Sequence, residues 1–246
     1  CPIRTGDQYK MALPKLNSTP KYDITIPSTQ QAVRFRPYLV KEEKVLMLAM
    51  ESQDQKQSLA AIVDTIVACV SEDIERTKLT TFDVEYMFTQ IRSKSVGETS
   101  KVSIKCKECD HANEVVIPLE SIKINMPEDV VSLIELTDEI SVQLKWPTYS
   151  DLGDLDMADG ASQVTQTFDM IAKCIDSVLT GDERISMKDE PKQEVMDFIE
   201  SLTSEQFDKI REYVELMPKL KHDVEFKCVS CSDTNKITLE GMNDFF

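Results

Sequence analysis

Two short cysteine motifs, Cys106-Lys-Glu-Cys109 and Cys228-Val-Ser-Cys231, constrain this chain more than any other feature. Two cysteines with two residues between them form a tight knuckle whose thiolates can grip one tetrahedral ion, and two such knuckles complete a four-sulfur shell. The flanking sequence repeats as well: Val102 to Ile117 aligns without gaps on Val224 to Leu239, with Val, Lys, both Cys and Asn coinciding and apolar residues matching at the other inward positions. Each unit reads as strand, knuckle, strand. Set face to face, the two units would place Cys106, Cys109, Cys228 and Cys231 around a single structural zinc ion, as in a zinc ribbon.

The segment between the knuckles is long for a ribbon, roughly 120 residues, but loop-closure cost rises only logarithmically with length, so an insertion that folds by itself is tolerated. Only the ion is expected to tie the two knuckles directly, which makes both halves depend on it. Four thiolates leave no open position for water or substrate, so the site reads as closed and non-catalytic. A redox dithiol is a weaker reading, because such pairs open helices and these lie between strands. Replacement of one sulfur by His111 or His222 is weaker than leaving both imidazoles as solvated surface groups. Cys69 and Cys174 fall among Ile and Val on helical patterns and read as small core fillers.

The 44 acidic and 28 basic side chains give a net charge of −16, which repels phosphate backbones and anionic lipid surfaces. Nucleic acid and membrane are therefore excluded as expected partners, and no apolar run approaches the ~20 residues of a bilayer span. A cytoplasmic origin is the default, without a secretory signal. Residues 1–12 read as an N-terminal extension or scar, with Met11-Ala-Leu-Pro14 resembling a translation start.

Alternation at Tyr22–Ile26 and Val33–Arg36 predicts a β-hairpin. Helical spacing from Lys41 to Val70 predicts two helices with a break near Ser52, and a third from Thr81, read as its N-cap, to a stop near Gly97. Strand patterns follow at Val102–Ile104, Val115–Ile117 and Ile140–Leu144. Gln163 to Leu179 reads as one helix ended by Gly181, followed by helices at Pro191–Leu202 and Ser204–Leu216, the last opened by a capping box at Thr203 and Gln206. Strands at Val224–Phe226 and Ile237–Leu239 close the chain. The order predicts an α+β fold of β-hairpins and helical segments, with the zinc-ribbon-like pair of hairpins joined by a long mixed insertion. It divides into a hairpin and helical region over 13–98 and a ribbon-like region over 99–246, with halves 99–120 and 220–241 and a helical insertion over 148–218.

Nothing else in the sequence carries chemistry: there is no phosphate loop, HExxH pair or nucleophile elbow, so neither an enzyme nor a small-molecule substrate is expected. The acidic run Asp151 to Asp156 lacks EF-hand spacing and reads as a solvated turn. Met47, Met50, Met87, Met170 and Met217 read as core filler. At the ends, Leu13 and Pro14 in a proline-bounded arm and the terminal Phe245 and Phe246 are candidate partner contacts, the phenylalanines alternatively folding back on the core.

Leu13-Pro-Lys-Leu16, Tyr22-Asp-Ile-Thr-Ile-Pro-Ser28, Phe35 to Lys44 with Leu46-Met-Leu-Ala-Met50, Phe82-Asp-Val-Glu-Tyr-Met-Phe88 and Ile91 to Glu98 occur in an order and spacing that resembles the baseplate hub assembly proteins of T4-type contractile-tailed phages. The likeness covers most of residues 12–145. It implies a protein that builds the hub or stays in it, present in the host cytoplasm during assembly and in the virion tail baseplate. Its partners would be other hub or tail proteins, bound without turnover. The alternative from the cysteines alone is a zinc-ribbon adaptor of a host regulatory or enzymatic complex.

Overall fold

Alternating apolar residues make the first hairpin: β1 (Tyr22–Thr25) and β2 (Ala32–Phe35) pair antiparallel with Ile24 opposite Val33. The computed structural model describes residues 19–52, 54–153 and 163–245. α1 (Val40–Glu51) and α2 (Gln55–Cys69) follow, and the polar break between them ends at Asp54, whose carboxylate accepts the N–H groups of Lys56 and Gln57 and starts α2.

The third helix, α3 (Thr81–Ser95), is capped by Thr80 and not by Thr81, because Asp83 lies three residues after Thr80 and completes the reciprocal box. The same fully buried Asp83 carboxylate also accepts the N–H and hydroxyl of Ser28 at 2.9 and 2.6 Å, so one side chain fixes the helix start and the first hairpin together. Val63 and Ile66 of α2 and Val84, Met87 and Ile91 of α3 close over the hairpin as the first core. α1 contributes less than its pattern suggests. Met47 and Met50, expected as core filler, are 58% and 72% exposed, because the buried side of α1 is carried by Glu42, Leu46 and Ala49. The Glu42 carboxylate is held there by Arg36 at 2.9 Å and the Leu39 N–H at 2.8 Å.

β3 (Thr99–Lys105) and β4 (Ala112–Pro118) form the first knuckle hairpin. A short β5 (Lys123–Ile124) follows, and the chain then enters β6 (Leu133–Glu135) and β7 (Ile140–Leu144). After α4 (Tyr149–Gly153) comes α5 (Gln163–Cys174), which is shorter than the predicted Gln163–Leu179 helix. Ile175–Thr180 is instead strand β8, paired with β7 on one side and with β9 (Glu183–Ser186) on the other, Val178 lying opposite both Val142 and Ile185. The Ile175, Val178 and Leu179 run fits either period, and pairing on both edges decides for strand. Gly181 does adopt a positive φ, 55°, but as part of the two-residue hairpin turn between β8 and β9 and not as a helix stop.

α6 (Lys192–Glu200) and α7 (Ser204–Glu215) then pack with α5 on the four-stranded sheet as a second core around Val142, Ile171, Ile199 and Ile210. The Thr203–Gln206 capping box is formed as the sequence predicts. Trp146 stacks on Tyr213 of α7 with centroids 4.3 Å apart and meets Phe82 of α3 edge-on, joining the second core to the helices of the first. The chain ends in β10 (Leu220–Lys227) and β11 (Thr234–Glu240), with β10 also pairing β5. All the sheets among the described residues are antiparallel and stand beside seven α-helices, an α+β arrangement. Among the described residues no helix is long and apolar enough to cross a membrane.

Candidate metal centre

The two knuckle hairpins are built alike and meet face to face. Lys105 pairs with Ala112 at the tip of the first, and Lys227 pairs with Thr234 at the equivalent place in the second. Below the tips, Ile104, Ile117, Val224 and Leu239 are buried with Leu119, Ile122, Leu220 and Phe245 in a third core. Alternation therefore turns one face of each hairpin toward the other and sends Lys101, Lys105, Lys227 and Lys236 outward.

Each knuckle closes through the same bonds. The Cys106 N–H donates to the His111 carbonyl at 2.9 Å and the Asp110 N–H to the Cys106 carbonyl at 3.0 Å; Cys228 with Asp233 and Ser232 with Cys228 repeat these at 2.9 Å. The residue after the second cysteine takes a left-handed conformation in both, φ 54° at Asp110 and 63° at Ser232. Asp tolerates that region better than most side chains.

The result gathers the four predicted cysteines: their sulfurs all lie within 4.8 Å of one another. Cys106 Sγ is 3.6 Å from Cys231 Sγ, and Cys109 Sγ is 3.6 Å from Cys228 Sγ, so each inner sulfur faces an outer sulfur of the opposite hairpin. Four sulfurs at ~2.3 Å from one ion stand about 3.8 Å apart in a tetrahedron, and the observed cluster fits that size. Cys106 and Cys228 are buried at the base of the knuckles, while Cys109 and Cys231 are exposed at the rim.

Electrostatics divide the sulfurs in the same way. The N–H groups of Cys231 and Ser230 hold the Cys228 thiol down to about 6, and the Glu108 N–H lowers Cys106 against the effect of burial. At the rim the Asp233 N–H lowers Cys231, but the sulfurs of Cys109, Cys106 and Cys228 together with burial outweigh it and push that thiol to about 12. Cys109 is raised as well, the lowering by the His111 N–H and the Cys231 sulfur being outweighed by burial and the sulfurs of Cys228 and Cys106. Negative charge on two sulfurs opposes it on the others, so a cation at the centre is needed if all four are to ionise. These residues could hold one soft metal ion.

One expectation is corrected here. The ion would not be the sole direct tie between the knuckles, because the Asn113 Oδ1 accepts the Val229 N–H and the Asn235 Oδ1 accepts the Lys107 N–H, each at 2.9 Å. Lys107 Nζ adds a bond to the Lys236 carbonyl at 2.8 Å. The two asparagines were visible as a coincidence of the repeat, and only the facing of the hairpins reveals what they do.

The other singled-out residues lie elsewhere. Neither histidine joins the cluster: His111 is exposed, and the His222 ring meets Ser121 Oγ at 3.4 Å. Cys69 and Cys174 are buried in apolar surroundings, which pushes their thiols up to about 11 and about 12. Phe245 is not placed as a partner contact: its ring is fully buried in the third core. Leu13, Pro14 and Phe246 lie outside the described residues, as does the acidic run from Asp154 to Asp156. Asp151, just before it, accepts the N–H and hydroxyl of Thr148 and starts α4.

Residues 19–246 match the family described as T4 bacteriophage base plate protein. The baseplate hub assembly protein gp26 of Enterobacteria phage T4 is 24% identical over 228 residues, which span 92% of this chain and 97% of that protein. No solved structure matches the chain. The match takes in both hairpins, all three cores and every helix described above, and the chain accordingly belongs to the T4 bacteriophage base plate protein family.

Proposed function

We propose that this protein is a structural or assembly component of the hub of a contractile-tail baseplate, acting by protein–protein contacts, with a structural zinc in a zinc-ribbon-like pair of hairpins. The observation that carries the first part is the near end-to-end match to a protein named for baseplate hub assembly, covering 92% of one chain and 97% of the other. Its partners are then other hub or tail proteins, met in the host cytoplasm during assembly and in the virion tail. The reading as a host zinc-ribbon adaptor gains no support from the family match.

Zinc is the ion that suits four thiolates at tetrahedral spacing in a closed site. Cys106, Cys109, Cys228 and Cys231 would hold it, and with all four positions taken it would supply folding energy and not reactivity. Absence of catalysis follows from the same closure. The regions proposed from the sequence gain support from the three cores, and the packing of Val130 and Ile134 on the second core favours an insertion that includes them.

Two measurements test this. Elemental analysis of protein purified under reducing conditions should find about one zinc per chain, and no bound metal would remove the zinc reading. Copurification with hub proteins, together with detection in salt-washed virions, tests the baseplate reading; a chain that associates only with host complexes would overturn it.

A further inference from the structure

We propose that Asn113 and Asn235 are reciprocal positioning residues of the four-sulfur site, each reaching across to set the knuckle of the opposite hairpin. The choice of metal as ligand rests on the reading above, whereas the clamp is made of protein atoms alone. Both side chains are buried, at 4% and 2% exposure. Their Oδ1 atoms accept the N–H groups of Val229 and Lys107, which follow Cys228 and Cys106 at the same offset in each motif. The relation is two-fold: the first hairpin's asparagine fixes the second knuckle, and the second hairpin's asparagine fixes the first.

The remaining amide hydrogens hold each asparagine in place. Asn113 Nδ2 donates to the carbonyls of His111 at 2.8 Å and Ile104 at 3.4 Å. Asn235 Nδ2 donates to the Asp233 carbonyl at 3.3 Å and to the Cys106 sulfur at 3.4 Å. A buried acceptor and donor are both needed at one branch point, which Asn supplies and Leu or Ala does not. Aspartate keeps the acceptor but gives up the donors and adds negative charge beside four sulfurs.

The clamp acts on the ligands through the backbone. Fixing the N–H of the residue after the first cysteine sets the start of the knuckle, and the following N–H groups are the ones that bond the buried sulfurs. Groups of this kind, which hold metal ligands without touching the metal, typically change affinity by about 10–100-fold when removed. The two asparagines are not equivalent. Asn235 also bonds a sulfur, so its loss changes the electron density on Cys106, whereas loss of Asn113 changes position alone.

The test uses the full chain in two states. In metal-free, reduced protein the amides of Val229 and Lys107 are expected to be protected from hydrogen exchange; Asn113→Leu should release the first and Asn235→Leu the second, while Asn113→Asp retains protection at Val229. In cobalt-loaded protein each Leu variant should speed chelator-driven release by about 10-fold, and only Asn235→Leu should shift the thiolate-to-cobalt charge-transfer band. Free exchange of both amides in the metal-free parent overturns the clamp, and so do Leu variants with unchanged exchange and release. Should the parent bind no cobalt, the metal reading falls and the exchange pattern still decides the clamp. If a Leu variant fails to fold, Asn113→Asp carries the decision: loss of protection at Val229 in that folded variant overturns the proposal.

Discussion

The hydroxyl of Ser100 donates to the carbonyl oxygen of Phe245 at 2.5 Å, joining positions 145 residues apart and fastening the C-terminal turn to the first strand of the first knuckle hairpin. The Phe245 ring beside that bond is fully buried among Ile117, Leu119, Leu220 and Leu239. A terminal aromatic of this kind closes the third core, which is assembled from two segments far apart in the chain.

Phe245→Ala should therefore destabilise the protein by about 3–5 kcal/mol, the usual cost of emptying a buried phenylalanine site. Urea unfolding followed by near-ultraviolet circular dichroism measures it. A change below about 1 kcal/mol, the level of an ordinary surface substitution, would mean that the ring does not fill the core.

Glu85 gives a pH dependence whose sign is fixed. Burial raises its carboxyl above the ordinary carboxylate range, despite the Met242 N–H bonded to it and the nearby charge of Lys219. A raised carboxyl makes the folded state the better proton acceptor, so its contribution to stability is fully present below the ordinary carboxylate range and is lost as pH rises through the higher folded value. Glu85→Gln keeps an acceptor for Met242 and removes the buried charge. The variant should be more stable than the parent at pH 7, with the difference vanishing toward pH 4; equal denaturation midpoints at both pH values would contradict this.

The cross-hairpin sulfur pairs make a third outcome specific. Diamide, taking two electrons and two protons from each pair of thiols, should link metal-free protein as Cys106–Cys231 and Cys109–Cys228, the pairs that stand 3.6 Å apart. Peptide mapping distinguishes these from links within a knuckle. Exclusive pairing of Cys106 with Cys109 and of Cys228 with Cys231 would show that the hairpins separate once the metal is gone.

Sequence reasoning reached the knuckles, the two helices around Ser52 and the capping box at Thr203, because each depends on residues close in the chain. It failed where distant pairing decides. Ile175 to Leu179 carries a helical pattern, yet β7 and β9 flank it and hold it extended. Lys123 and Ile124 give too short a signal to be seen before Leu220 is known to lie opposite Ile124. For Phe245 the sequence left open a fold-back on the core and a partner contact; its burial in the third core bears out the fold-back, which only residues distant in the chain could decide. The asparagine clamp was half legible: the repeat marked Asn113 and Asn235, but their acceptor role needs the opposite hairpin.

Removal of the metal should act on the knuckles and spare the helices. Four ionised sulfurs within 4.8 Å repel one another without a cation, so chelation should return the rim sulfurs of Cys109 and Cys231 to thiols and loosen both tips. The helices should survive, because α2 and α3 pack in the first core and α5, α6 and α7 in the second, away from the sulfurs. The asparagine bonds should also keep the two hairpins together, so damage would concentrate at the knuckles and not spread along the strands. A bound ion at ~1,000 times its dissociation constant adds about 4 kcal/mol, and that amount should disappear from the unfolding of the hairpin region alone. We expect chelated protein to keep its helical circular dichroism, to gain protease cuts at 106–111 and 228–233, and to bind hub proteins more weakly. Cys228→Ser should mimic this, since it removes a buried ligand whose thiol is already held down to about 6. Unchanged cleavage and unchanged hub affinity after chelation of protein shown to have held metal would make the ion incidental to assembly.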